Sequence, residues 1–142
     1  MDFSLTEEQQ MLQHSVERFL EKNYSFELRR NMVNERQAMS EEVWKGFASL
    51  GLLGVPFSDE YGGFGGGGIE TMLVMEALGR HLVMEPYLST VVMVGGLVDI
   101  GAAEWQKKIL LQGIVGGSML LAFAHYERES RDRKSTRLNS SH

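Results

Sequence analysis

One run in this chain matches a known piece of binding chemistry by its spacing, Gly63-Phe64-Gly65-Gly66-Gly67-Gly68. It satisfies GxGxxG, in which a glycine turn lays backbone N–H groups and a helix N-terminus against a pyrophosphate. The flanks argue against that use. The motif needs a strand running into its first glycine, and here Pro56, Asp59 and Glu60 precede it. Two carboxylates beside a pyrophosphate would repel it. Six of the seven residues from Gly62 to Gly68 are glycine, so a pattern match there carries little information. The run is expected to be a loop between helices, with tight turns or backbone lying close against another part of the chain.

The remaining chemistry-bearing residues are sparse. Asp59, Glu60, Glu76 and Glu85 have no recognisable partner for acid–base work, and no catalytic residue is assigned. His14, His81, His125 and His142 show no HxH or HxxxH spacing, and there are no cysteines, so no metal site, disulfide or thiolate chemistry is expected. The nine methionines read as adaptable core filling.

Composition bounds the rest. A chain of 142 residues can bury one real core, and 43% hydrophobic with 23% charged residues is ordinary for a globular domain. No apolar run is long enough for a membrane span, and the acidic N-terminus has no signal-peptide pattern, so a cytoplasmic protein is expected. The net charge is −5, and five of the fourteen basic residues fall after His125. An acidic body argues against nucleic-acid binding.

The elements that position these residues are mostly helices. Thr6 with Gln9 forms a capping-box pattern ahead of Leu12, Val16, Phe19 and Leu20, and this helix is expected to end near Asn23. Ser25 caps a second helix to about Asn34, and Ser40 a third carrying Val43, Trp44, Phe47 and Leu50, closed by Gly51. Leu52-Leu53-Gly54-Val55 is too short to decide between a strand and a buried turn. After the glycines a fourth helix spans about Ile69 to Leu82, with Glu76 and Arg80 paired. Helix five, about Tyr87 to Ile100, is apolar almost all round and is expected to be central; close packing should offset its Gly95-Gly96 pair. Helix six, about Ala103 to Leu111, should turn Trp105, Ile109 and Leu110 inward and Lys107-Lys108 outward. Ser118 to Ala124 reads as a strand, whose partners must lie outside this chain.

Several pieces, taken in order, resemble one family: Leu5-Thr6-Glu7-Glu8-Gln9, Leu50-Gly51-Leu52-Leu53-Gly54-Val55-Pro56, Glu60-Tyr61-Gly62-Gly63, Glu76-Ala77-Leu78-Gly79-Arg80, and Gln106-Lys107-Lys108-Ile109-Leu110-Leu111 followed by Gly113. Together they resemble the N-terminal helical domain of acyl-CoA dehydrogenases over residues 3–131. Glu85-Pro86-Tyr87-Leu88 and the stretch from Leu121 to Arg131 resemble most the small subunit of the pimeloyl-CoA dehydrogenases, two-subunit enzymes acting on dicarboxylic acyl-CoA thioesters.

The resemblance implies a mainly α fold, a bundle of about six helices plus the first strand of a missing β domain. Residues 1–117 would be the helical domain and 118–131 the start of the truncated β domain. It implies an FAD-dependent oxidoreductase performing α,β-dehydrogenation of an acyl-CoA, inactive as this chain alone, and a homo- or hetero-oligomer at full length. Phe123, Ala124, His125 and Tyr126 fall on the family's flavin-contacting segment, and Leu88 and Val92 would line the acyl tunnel. Many relatives carry Thr-Glu-Pro after that strand where Tyr126-Glu127-Arg128 stands here. Residues 132–142 fit no part of the pattern, resemble translated adapter sequence and are expected to be disordered. A non-catalytic partner subunit and a stand-alone helical interaction module remain as alternatives.

Overall fold

A computed structural model describes residues 4–124. Three helix starts follow from local side-chain chemistry. For α1, Glu7–Asn23, Thr6 accepts the Gln9 N–H at 3.2 Å while the Gln9 side chain accepts the Thr6 N–H at 3.0 Å. Ser25 caps α2, Phe26–Asn34, through the Leu28 N–H, and Ser40 caps α3, Glu41–Ser49, through the Val43 N–H. Leu52–Gly54 resolves as a buried 3-10 turn, neither strand nor irregular loop, and a second such turn spans Asp59–Tyr61.

α4, Gly68–Arg80, packs along α1. Polar links tie the two at both ends. The Gln9 amide donates to Glu70 at 2.7 Å, and Arg80 and His81 reach Glu17 at 2.9 and 2.8 Å. The Gln9 donor is the main reason Glu70 has a pKa below the ordinary carboxylate value.

The chain then forms a π-helix, Leu88–Gly95, which runs directly into α5, Gly96–Gly101. Gly95 permits this wide segment to close on Phe57, because a Cβ there would lie inside the buried Phe57 ring. The close packing expected at the glycine pair is thus found at Gly95, whereas nothing stands within 4 Å of a Cβ at Gly96.

Helix five, expected to be central, meets the core on one side only. Thr90, Val91 and Gly95 are buried, but Leu88, Met93, Leu97 and Ile100 are exposed. Their spacings of five, four and three residues put them roughly on one side of a π turn followed by an α turn.

α6, Glu104–Val115, also departs from expectation. It runs a turn longer, and its buried positions are Leu111 and Ile114, while Trp105 and Ile109 are exposed. Lys107, expected outward, has a side chain only 17% exposed and an ammonium 3.3 Å from Glu104. Its aliphatic stem can lie along apolar surface while the charge finds a partner. The face that counts was therefore set by the turn that Leu111 and Ile114 define.

The core draws Val16 and Leu20 from α1, Trp44 and Phe47 from α3, Val74 and Ala77 from α4, and Leu111 and Ile114 from α6 around Leu53, Val55 and Phe57. Tyr87 donates its hydroxyl to the Leu52 carbonyl at 2.9 Å, which places the start of the π-helix over the centre of the molecule. Burial pushes its pKa above the ordinary tyrosine value. Beyond α6 the chain turns at Gly117, whose carbonyl accepts the Trp44 indole N–H at 3.2 Å. Ser118 to Ala124 forms no strand among the described residues. A strand is defined by its pairing with another strand, and the described residues contain no strand to pair with this run.

Candidate functional site

The glycine loop is the first place to look for a ligand, and its backbone settles the matter. Gly63 N–H donates to Ser58, Phe64 to Gly54, Gly65 to Phe57 and Gly66 to Val55, at 2.9, 3.0, 2.6 and 2.9 Å. Gly67 N–H donates to the Glu70 carboxylate at 2.7 Å, starting α4. Five successive donors are committed within the protein. The glycines serve backbone-on-backbone packing. A Cβ at Gly63 would collide with the Phe57 carbonyl, and one at Gly66 would come within 2.7 Å of the Val55 carbonyl. A cleft of about 640 Å³ lies beside this loop, lined by Glu8, Met11, Leu12, Leu50, Phe64 and Glu70 among others.

The carboxylates are structural. Glu76 pairs with Arg80 at 2.7 Å, and Asp59 accepts the Ser58 hydroxyl at 3.2 Å. Glu85 is buried, accepts the Ser40 N–H at 3.0 Å, and so joins the entry of the π-helix to the start of α3. Its second oxygen makes no hydrogen bond. The Tyr24 phenol responds to it: burial raises the Tyr24 pKa most, and the Glu85 carboxylate adds to that. Among the described residues no group of three or more His, Cys, Asp or Glu is arranged to hold a metal.

The expected site residues that are described, Leu88, Val92, Phe123 and Ala124, lie on two segments, the π-helix and the chain beyond α6. Leu88, half exposed, opens the π-helix and lines a groove of about 410 Å³ with Arg29, Leu78, Val83, Glu85 and Tyr87. Val92, one turn on, is partly buried against the core. Phe123 and Ala124 are exposed at the end of the described chain, and His125 and Tyr126 lie outside the described residues. One residue links these two groups. Thr90, 1% exposed, donates its hydroxyl to the Leu121 carbonyl at 2.9 Å and accepts the Leu121 N–H at 3.2 Å. Sequence reasoning passed over Thr90. Its signal was a lone threonine between Ser89 and a run of valines, a hydroxyl in a helix turn with little other polarity.

The model of the family described as "Acyl-CoA dehydrogenase, N-terminal domain" matches residues 6–118. This chain belongs to the acyl-CoA dehydrogenase family. It is 32% identical over 130 residues to the probable acyl-CoA dehydrogenase YngJ of Bacillus subtilis, a match covering 87% of this chain and 32% of that protein. Among solved structures, the ChsE4–ChsE5 complex of Mycobacterium tuberculosis contains a chain similar to it with a TM-score of 0.79 and 28% identity, over 86% of this chain and 34% of that one. Butyryl-CoA dehydrogenase of Megasphaera elsdenii matches with a TM-score of 0.70 and 29% identity, over 84% and 32% of the two chains.

The chain therefore spans about a third of the length of the relatives it matches. The mainly helical fold is that of the N-terminal domain of this family. Among the described residues no helix is long and apolar enough to cross a membrane.

Proposed function

We propose that this chain is the N-terminal part of an FAD-dependent acyl-CoA dehydrogenase, acting in the α,β-dehydrogenation of an acyl-CoA thioester. The observation that carries the reading is the Thr90–Leu121 pairing. It brings the helical wall bearing Leu88 and Val92 next to the segment leading to Phe123 and Ala124. The fit to a flavin rests on the character of that end of the chain. Phe123 and Ala124 present apolar, exposed surface where the chain leaves the helical domain, of the kind a flat aromatic ring can cover.

In this reading Phe123 and Ala124, with His125 and Tyr126 beyond them, contact the flavin, and Leu88 and Val92 bound the acyl chain. FAD, when bound, supplies the oxidant for removal of two hydrogens from adjacent carbons. The described residues contribute position and exclusion of water. No carboxylate is assigned as the base: Glu76 and Asp59 are bonded to Arg80 and Ser58, and Glu85 holds the Ser40 N–H with one of its oxygens. The base then comes from sequence beyond this chain, or from another subunit, and this chain alone is inactive. The domain division follows the same logic, with residues 118–131 starting a β domain that needs its downstream partner strands. A two-subunit enzyme acting on dicarboxylic acyl-CoA, as the resemblance of Glu85-Pro86-Tyr87-Leu88 implies, is the narrower form of this reading.

The test is an acyl-CoA series. The chain extended by its native downstream sequence, together with any partner subunit that co-purifies, is mixed anaerobically with straight-chain and dicarboxylic thioesters while the visible flavin absorption is followed. Loss of the oxidised-flavin bands with some thioesters, and a shifted chain-length preference in Leu88→Ala, is the expected result. A flavoprotein indifferent to every acyl-CoA would overturn the substrate class.

A further inference from the structure

Threonine inside a helix ordinarily returns its hydroxyl to a carbonyl one turn back. Thr90 does not. Its own N–H is bonded to the Pro86 carbonyl, and its hydroxyl serves both backbone groups of Leu121, thirty-one residues away. One side chain thereby does what a neighbouring strand would do for one residue, accepting from the N–H and donating to the C=O. The Ser118 and Met119 N–H groups close on the Gly113 carbonyl and the Leu121 side chain packs on the core, and at Leu121 the Thr90 hydroxyl fixes the backbone against the π-helix. The π-helix has its own anchor behind Thr90, through Gly95 on the Phe57 ring and the Tyr87 hydroxyl on Leu52. The hydroxyl is thus held by a rigid wall while the segment it grips leaves the domain.

Resting on the function proposed above, we propose that Thr90 is a positioning residue that sets the separation between the acyl-facing helix and the flavin-facing segment. Leu88 and Val92 lie two residues to either side of it. Phe123 and Ala124 lie two and three residues beyond Leu121, at most about 10 Å of extended chain. A change at Thr90 therefore reaches the flavin-facing residues through a short segment with little room to absorb it. Valine has nearly the same shape and lacks the hydroxyl, and serine keeps the hydroxyl without the methyl.

The experiment compares wild type, Thr90→Val and Thr90→Ser in the chain extended by its native downstream sequence. It reads the exchange rate of the Leu121 amide by hydrogen exchange, flavin affinity by fluorescence, and folding by circular dichroism. Thr90→Val should fold, speed exchange at Leu121 and weaken flavin binding, each by about tenfold, while Thr90→Ser stays near wild type in both. If Thr90→Val does not fold, Thr90→Ala against Thr90→Ser carries the same comparison. A valine or alanine variant that frees the Leu121 amide yet binds flavin as tightly as wild type overturns the inference, as does unchanged exchange. A folded wild type without flavin sinks this inference together with the function it rests on, whereas flavin held equally by wild type and variant sinks this inference alone.

Discussion

Two regions of this domain, both packed on Phe57, treat their backbone in different ways. At the glycine loop, each N–H from Gly63 to Gly67 is bonded within the protein, and glycine lies flat against the carbonyls of Phe57 and Val55. Around the π-helix and α5, Leu88, Met93, Leu97 and Ile100 are exposed, and both backbone groups of Leu121 are bonded to the Thr90 hydroxyl. The loop has the stronger motif by pattern, yet its donors from Gly63 to Gly67 are already bonded. Both regions keep apolar area uncovered, Phe64, Met11 and Leu50 beside the loop and the four residues of the π-helix and α5, as a surface does that meets substrate, cofactor or further protein. The flanks of the motif already argue against a phosphate site there, and the hydrogen bonds of the loop agree.

The sharpest break of this contrast is Gly63→Ala. The new methyl would overlap the Phe57 carbonyl, so the loop must lift from Gly54–Ser58, at a cost of about 3 kcal/mol or more. Urea unfolding measures it, and a loss below the noise would mean the loop is not a packed element. Gly95→Ala comes next. Its methyl meets the Phe57 ring, which can shift where a carbonyl in a packed turn cannot, and about 1–3 kcal/mol is expected from the same titration.

The third test is pH. Tyr61 donates to Glu104 at 3.0 Å, fastening the turn before the glycine loop to the start of α6. Burial and the Glu104 carboxylate push the Tyr61 pKa up to about 12, while the Tyr61 hydroxyl holds Glu104 below its ordinary 4.5. The tyrosine contribution is fully present below pH 10.0 and is lost as pH rises through about 12. The glutamate contribution is present above pH 4.5 and is lost as pH falls through its lowered folded value. In Tyr61→Phe the loss of stability at the acid end should shrink, because Glu104 then loses the donor that depresses it. The alkaline loss should shrink too, leaving the part due to buried Tyr87 and Tyr24. Thermal unfolding across the pH range checks both limbs, and identical limbs in variant and wild type would dismiss the pair as a fastening.

The smallest effect is expected at the open end. Met93→Ser and Leu97→Ser replace exposed side chains and should change the stability of this chain by no more than about 0.5 kcal/mol. A loss of 2 kcal/mol or more would show that this face is already covered, and would remove the contrast.

Much of the fold was legible because its signals are local. Thr6, Ser25 and Ser40 cap helices through N–H groups three residues away, so the starts of α1, α2 and α3 can be read from nearby residues. The burial of Trp44 and Phe47 follows from one helix's own periodicity. Features that depend on distant partners were not legible. The π-helix depends on Phe57 filling the space at Gly95, and nothing near Gly95 in sequence announces that ring. Lys107 was misplaced because its burial is set by which turn of α6 packs. At the candidate site, Leu88, Val92, Phe123 and Ala124 were reached through family resemblance, while Thr90 joins segments thirty-one residues apart through a hydroxyl with no motif around it. Nothing local marks such a residue.

The most direct test of the central claim is the flavin content of the chain extended by its native downstream sequence. The account predicts a yellow protein with oxidised-flavin absorption, retained through gel filtration and weakened when Phe123 is replaced by aspartate. A folded, colourless protein of that length, still colourless after incubation with excess FAD, would contradict it.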